Sequence, residues 1–591
     1  ADWASWDAFK LTQPNADGFT LEKRTNAQSA WIAAGAGRRA AGFVFAGDVS
    51  GGLGVSVRNF WQSYPASLEV RGATTAAAEV TAWLWSPDGP AMDMRHYSTR
   101  AHGLEAAYED VQEGFSTAHG VARTSELTLF ACGEAPSREA TATLARAGAE
   151  PAALVCAPEH YHAARAFGLW GLPDKATPVK RAIEDRLEAT LNFYLKQPEQ
   201  HRWYGFWDFG DVMHSYDTVR HVWRYDLGGM AWANSELGPD MWLWLSFLRT
   251  GRADVYRMAE AMTRHTGEVD VYHLGRFAGL GSRHNVRHWG DGAKEARISQ
   301  AAYRRFHYYI TTDERSGDLM REVVNVDYKT VEFDPMRLAQ PATAAEKALA
   351  PTRVRLGPDW LAFAGNWMTE WERTGDTQWR NRILAGVASL DAMPLGMRTG
   401  RNLVLGYDPA TAKLVPLDDE AGVYNLATIM GGAEVGFELS MMLDDERWQR
   451  LWLQFCRLYS APKDVVLRDR AAEGKSGTEG MDARYVRDGR LAGFVSGRLG
   501  ERGEAFKKAA VEALLRMGRG GRGGPGSGIT GVVKKVEGPA ALNSVEVGLG
   551  NTNTAAQTGL ETIAMRGMVG DALPAEFPAV SEAETKGRKK R

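Results

Sequence analysis

Eight of the chain's thirteen histidines fall between His201 and His307, in under a fifth of its 591 residues. Three segments of that stretch mix histidine with arginine, tyrosine, acids, tryptophan and glycine: HRWYGFWDFGDVMHSYD (201–217), RHVWRYDLGGMAWANSE (220–236) and SRHNVRHWGDGAKEARISQ (282–300). Arginine presents a two-pronged donor to carboxylates. Histidine changes charge near neutrality and can carry a proton. Flat aromatic faces suit sugar rings. This combination points to a carbohydrate site, and to an acidic carbohydrate in particular.

The glycines, asparagine and aspartate of SRHNVRHWGDG place it on a loop. It lies between a helix ending near Gly267 and one starting near Ser299. Arg283, His284, Asn285, Arg287 and His288 could meet an anionic sugar there, with Trp289 and Asp291 beside it. In the first segment Trp203, Tyr204, Phe206, Trp207 and Phe209 are too many aromatics for a free loop, so they pack it or line a cleft. Asp208, Asp211, His214, Tyr216 and Asp217 add acids, a base and a phenol. In the second segment Arg224 and Tyr225 precede an expected inner helix, and Asn234 and Glu236 are expected two and three turns inside it. The plainer alternative makes these aromatics loop packing and the acids helix caps.

His284 and His288 have zinc-compatible spacing only on a helix, which the local glycine and asparagine oppose. No HExxH, P-loop, EF-hand or GxSxG is present. No metal or cofactor is expected, and Asp208, Asp211 and Asp291 are the ligands to consider if calcium were needed.

The elements that must position these residues change along the chain. Residues 1–155 read as a β-sandwich, with short strands such as GFVFAGD, LGVSVRNFW, SLEVRG, EVTAWLWSP and LTLFACGEAPS. Residues 156–178 read as a linker. From 179 to 580 the period is helical, with helix-sized segments in pairs, one apolar and one charged. That pairing predicts an α/α toroid, either an incomplete or a full (α/α)6 barrel. A hairpin is expected at 402–418. GRGGRGGPGSG (518–528) reads as a mobile loop, and 581–591 as a disordered basic tail.

A hydrophobic share of 44% and a charged share of 24% fit a globular multidomain protein, and the 20 tryptophans suit sugar platforms. A net charge of −3 argues against nucleic-acid and membrane partners. The three cysteines form neither a disulfide framework nor a metal spacing. A secreted or periplasmic location is expected, with the cytoplasm left open.

The three segments, together with FVFAGD (43–48), VSVRNFWQSYP (55–65) and GLGNTNTAAQTGLETIAMRGMVGDALP (548–574), resemble the exo-rhamnogalacturonan lyase and YetA-like family, which includes polysaccharide lyase family 26. The resemblance spans nearly the whole chain. It implies a three-part plan of β-barrel, central β-sandwich and C-terminal α/α toroid. The barrel would then be supplied by a separate chain or a longer precursor. It also implies exo-acting β-elimination on a rhamnose- and uronate-containing glycan, as in pectin degradation. Such a lyase neutralises the uronate carboxylate, removes the C5 proton and protonates the leaving oxygen. On this chain Arg283 or Arg287 would meet the carboxylate, His288 or His284 would act as base, and Tyr216 or Tyr225 as acid. Trp207 and Trp289 would hold the sugars. Trp203, Asp208, His214, Arg224, Asn234, Glu236, Asn285 and Asp291 complete the expected binding set. Two alternatives stay open. One is a glycoside hydrolase acting on unsaturated uronides through Asp208, Asp211, Asp291 or Glu236. The other is a non-catalytic glycan-binding protein.

Overall fold

The computed structural model describes residues 5–90, 110, 112–217, 219–472, 482–519, 533–534, 546–547 and 552–579. The expected basic tail and most of the GRGGRGGPGSG stretch lie outside these residues.

The N-terminal domain is a β-sandwich. Its strands are β1 (Ala8–Asn15), β2 (Gly18–Arg24), β3 (Ile32–Gly37), β4 (Phe43–Asp48), β5 (Gly51–Val57), β6 (Ala66–Arg71), β7 (Glu79–Trp83) and β8 (Leu127–Cys132). One antiparallel sheet has the order β3-β2-β1-β6-β7, and the other β4-β5-β8. Phe60, Leu68 and Val57 fill the space between them. The strand pattern gives no hint of the helix α1 (Arg138–Ala149), which lies against β5. Gly148 makes that contact possible, because a Cβ there would stand 2.2 Å from Ser56 Oγ. The expected linker holds a short helix, α2 (Pro158–Ala163).

The rest is a toroid. In chain order follow α3 (Pro178–His201), α4 (Pro239–Thr250), α5 (Ala253–Glu268), α6 (Ala301–Thr311), α7 (Glu314–Glu322), α8 (Ala344–Leu349), α9 (Ala362–Thr374), α10 (Thr377–Ala392), α11 (Gly432–Met442), α12 (Glu446–Arg457), α13 (Lys463–Ala471), α14 (Gly489–Leu499), α15 (Glu504–Gly518) and α16 (Thr552–Val569). Among the described residues α4, α6, α9, α11, α14 and α16 form an inner ring, each touching the next, and α16 returns to α4. The outer ring is α3, α5, α7, α10, α12 and α15. The (α/α)6 barrel is therefore closed. Sequence explains the sorting: PDMWLWLSFLRT of α4 is apolar around most of its circumference and buried, whereas α5 buries one face. The expected hairpin is present as β14 (Val404–Asp408) and β15 (Lys413–Pro416), with β13 (Thr352–Arg355) as a third strand.

Inner and outer helices alternate in direction, so all six inner helices point the same way. Connections from inner to outer helices are tight, as at Gly251. Those from outer to inner are long where they are described, as over 219–238, 269–300, 323–361 and 393–431. The long loops therefore share the rim where the inner helices begin. The expected helix over 227–251 differs in its first half. Gly228, Gly229 and the left-handed Gly238 (φ 69°) keep 227–238 out of the helix, which starts at Pro239. Asn234 and Glu236 thus sit on the rim loop, not inside the helix.

Candidate functional site at the rim of the toroid

The 201–236 and 282–300 segments meet at this rim. Trp232 N–H donates to Asn285 O at 3.0 Å. Asn234 Nδ2 donates to Ser282 O at 2.5 Å. The His214 and His284 rings stack at 4.0 Å.

Glu236 is the centre of one cluster. His284 Nε2 lies 2.8 Å from Glu236 Oε2, Arg297 Nε 3.2 Å from Oε1, and Arg283 Nε 3.4 Å from Oε2. Burial pushes the carboxyl up, but His284, Arg297 and Arg283 hold it well below the usual glutamate range. Burial and the Arg283 guanidinium lower the His284 pKa. Burial and His284 do the same for His214. At neutral pH the arginines therefore carry the charge and both imidazoles are neutral. Arg283 reaches on toward Asp291 Oδ2 at 3.9 Å.

A second cluster surrounds His288. Its Nε2 lies 3.0 Å from Asp208 Oδ1, and its Nδ1 3.2 Å from His265 Nε2. Asp211 and Asp270 close the other sides. Burial lowers the His288 pKa, but hydrogen bonds to Asp208 and Asp211 raise it overall to about 9. The side chain is 1% exposed and both ring nitrogens face partners, so His288 is not a free base.

The aromatic residues fall into two groups. Trp203 and Trp289 are 3% and 1% exposed, and their rings pack against neighbours already in place. Trp203 stacks on His201 at 5.3 Å, and Trp289 meets Trp207 edge-on at 5.3 Å. Neither presents a free face to a sugar. Trp207 is half-buried, and Tyr225 is 38% exposed with its hydroxyl accepting from Trp203 Nε1 at 2.9 Å. Tyr216 pairs with Trp223 in the small hairpin of β9 (Tyr216–Asp217) and β10 (Val222–Trp223). Arg224 and Arg287 are half-buried beside these segments. Asn285 is buried and donates to Asp110 Oδ1 at 2.6 Å, and Asp291 is buried with its Oδ1 accepting from Ala293 N–H.

Sequence reasoning left out part of the rim. Arg355 binds Asp359 and Glu295, each at 2.7 Å. Arg490 binds Glu434 at 2.6 Å and Asp488 at 3.0 Å. These pairs stand where α9, α11 and α14 begin. The signal available was position: a charged residue just ahead of an otherwise apolar helix. The inner-helix N-termini carry the positive ends of their dipoles, which favours anions at this rim. A separate cavity of about 720 Å³ opens between the sandwich and the toroid, with Arg58, Tyr204, Tyr256 and Arg264 among its walls, and it reaches Asp211. Arg283, His284 and Glu236 do not line it.

Residues 151–574 match the model of the PcRGLX-like protein C-terminal α/α toroid domain, and residues 1–146 that of the PcRGLX-like protein central β-sandwich domain. The chain is 40% identical over 587 residues to the uncharacterized protein YetA of Bacillus subtilis (strain 168). The match takes in 99% of this chain but 66% of that relative, just under two thirds of its length. Two solved unsaturated glucuronyl hydrolases, from Streptococcus agalactiae and Bacillus sp. GL1, are similar over 67% and 66% of this chain and 93% and 98% of theirs. Their identities are 11% and 13% and their TM-scores 0.36 and 0.35, values that decide nothing about the reaction. No helix among the described residues is long and apolar enough to cross a membrane. With both of its domains matched in order over almost its full length, the chain belongs to the PcRGLX-like family.

Proposed function

We propose that this chain is the sandwich-and-toroid part of a lyase that cleaves a rhamnose- and uronate-containing acidic glycan by β-elimination. The observation that supports it most is the gathering of Arg283, Arg297 and His284 on Glu236, where the inner helices begin. A β-elimination needs cations for the uronate carboxylate and a neutral base near it. Arg283 is the neutraliser in this reading, with Arg287 as its partner. Arg297 is 4% exposed and instead holds Glu236 in place.

His284 takes the role of base. Burial and Arg283 lower its pKa, and Glu236 holds its Nε2 at 2.8 Å, which fixes the ring. His288 is less suited, because Asp208 and His265 already engage its two ring nitrogens. Tyr216, two residues from His214, is the preferred acid, and Trp207 the sugar platform. The test is incubation with rhamnogalacturonan I, followed by ultraviolet absorbance and mass analysis. A new 4,5-unsaturated end supports the lyase. Its absence, with loss of an unsaturated end from a pre-cleaved oligosaccharide, would favour a hydrolase.

A further inference from the structure

We infer that Asp211, His265, Asp270 and His288 form a binding site for one tetrahedral divalent transition-metal ion of the zinc class. Each side chain is buried and offers one donor atom, and the four donor atoms lie within 4.8 Å of one another. His265 Nε2 lies 3.2 Å from His288 Nδ1, 3.5 Å from Asp270 Oδ1 and 3.6 Å from Asp211 Oδ2. His288 Nδ1 lies 3.5 Å from Asp211 Oδ2 and 3.6 Å from Asp270 Oδ1. Zinc bonds of roughly 2.0–2.2 Å in a tetrahedron require donor separations of about 3.3–3.6 Å. Five of the six edges fall at 3.2–3.6 Å, the size a zinc tetrahedron requires, and the sixth, between the two carboxylates, is within 4.8 Å.

A second observation points to a ligand. Asp270 is 0% exposed, yet neither of its carboxylate oxygens has a hydrogen-bond partner. A buried carboxylate without donors is costly, and a cation between the four donors removes that cost. Two carboxylates and two neutral imidazoles around a divalent ion make a neutral centre.

The surroundings fit a metal site as well. Asp208 Oδ1 holds the far nitrogen of His288 at 3.0 Å, the carboxylate–histidine arrangement that orients a ligating imidazole. Asp211 Oδ1 accepts from Val212 N–H at 2.7 Å, which fixes its other oxygen toward the centre. Gly210 (φ 107°) lets the Asp211 loop approach α5, since a Cβ there would stand 2.2 Å from Ala261 O and 2.9 Å from His265 Cβ. The ligands come from the first rim loop, the end of α5, the residue pair after it and the His-rich loop. A metal at this point would tie together the segments that carry Tyr216, Arg283 and His284. The inference does not depend on the reaction being an elimination.

The experiment uses the tag-free chain, loaded with zinc, dialysed, and analysed by elemental mass spectrometry. One zinc per chain is expected. Asp270→Asn, which keeps the shape, should drop this below about a tenth and lower thermal stability. Asp208→Asn should retain the metal with about 10–100-fold weaker affinity. Cobalt loaded into the unmodified chain should give the strong visible bands of tetrahedral coordination, a readout that survives if Asp270→Asn or His265→Gln fails to fold. Three results would each overturn the site: no bound metal after loading, calcium in place of a transition metal, or an Asp270→Asn variant more stable than the parent.

Discussion

Replacing Glu236 by glutamine keeps its volume and removes its charge. The carboxylate is 4% exposed and faces Arg297 Nε at 3.2 Å and Arg283 Nε at 3.4 Å. Losing one partner of a buried ion pair costs about 3–5 kcal/mol, because the remaining charge is left uncompensated. Chemical denaturation at pH 7, followed by tryptophan fluorescence of the toroid, should show a loss of about that size. The folded pKa lies below the ordinary 4.5, so the stabilisation is present above pH 4.5 and disappears as pH falls toward the folded value. The difference between Glu236→Gln and the parent should therefore shrink below about pH 4.5. Turnover should fall about a hundredfold, since Arg283 and His284 lose the group that orients them. A variant equal in stability at pH 7, or a difference that stays constant down to pH 3, would refute the view of Glu236 as an ionised organiser.

Arg283→Lys should lower kcat/KM on an acidic glycan by about tenfold or more while circular dichroism stays unchanged, because an ammonium cannot make the two-pronged contact. Glu184, 4% exposed and bound to Arg249 at 2.8 Å and Arg566 at 3.3 Å, joins α3, α4 and α16 where the ring closes. Glu184→Ala should cost about 3–5 kcal/mol in denaturant unfolding. Burial lowers the Lys294 ammonium from 10.5 to about 7. Between those values the unfolded chain binds the extra proton, so stability should rise with pH from about 7 to 10.5. Lys294→Met should flatten that rise in a series of thermal melts. His284→Gln should abolish formation of unsaturated ends with little change in melting temperature, whereas an equal loss of stability would make the residue structural.

The sandwich-to-toroid order was readable because strand and helix periods differ and the change near residue 178 is abrupt. The toroid's pairing was readable because inner helices such as α4 are apolar where outer ones such as α5 have one charged face. The start of α4 was not, since hydrophobic residues run through MAWANSELGPDMWLW without a break in composition. Only the backbone demands of Gly238 and Pro239 set the boundary. Helix α1 was hidden because REATATLARAGA has few large apolar residues and packs through Gly148. Within the candidate site, the histidine density marked loops that the fold brings together, and Arg283, His284 and Glu236 meet there. The sequence could not show that Trp203 and Trp289 face inward, because an aromatic residue reads the same on either side of a loop. Nor could it join His265 and Asp270 to Asp211 and His288, because the four ligands share no local spacing.

The sandwich belongs to the site as much as the toroid does. Gly205 N–H donates to Gln62 O at 2.7 Å and Phe206 N–H to Tyr64 O at 2.8 Å, so the first rim loop continues the backbone of the sandwich. Arg58 crosses from β5's end to Glu260 of α5 at 2.6 Å. Thr124 N–H donates to Glu268 Oε2 at 2.7 Å, next to the turn that carries Asp270. Asp110 holds Asn285 inside the His-rich loop. Each contact reaches one of the segments that supply Asp208, Asp211, His265, Asp270 or His288. A toroid expressed alone from residue 151 would lose every one of them while keeping its closed helical ring. It should therefore retain helical circular dichroism, yet lose both metal binding and activity. If it kept either, the rim loops would be holding their shape without the sandwich, and the cross-domain hydrogen bonds would be incidental.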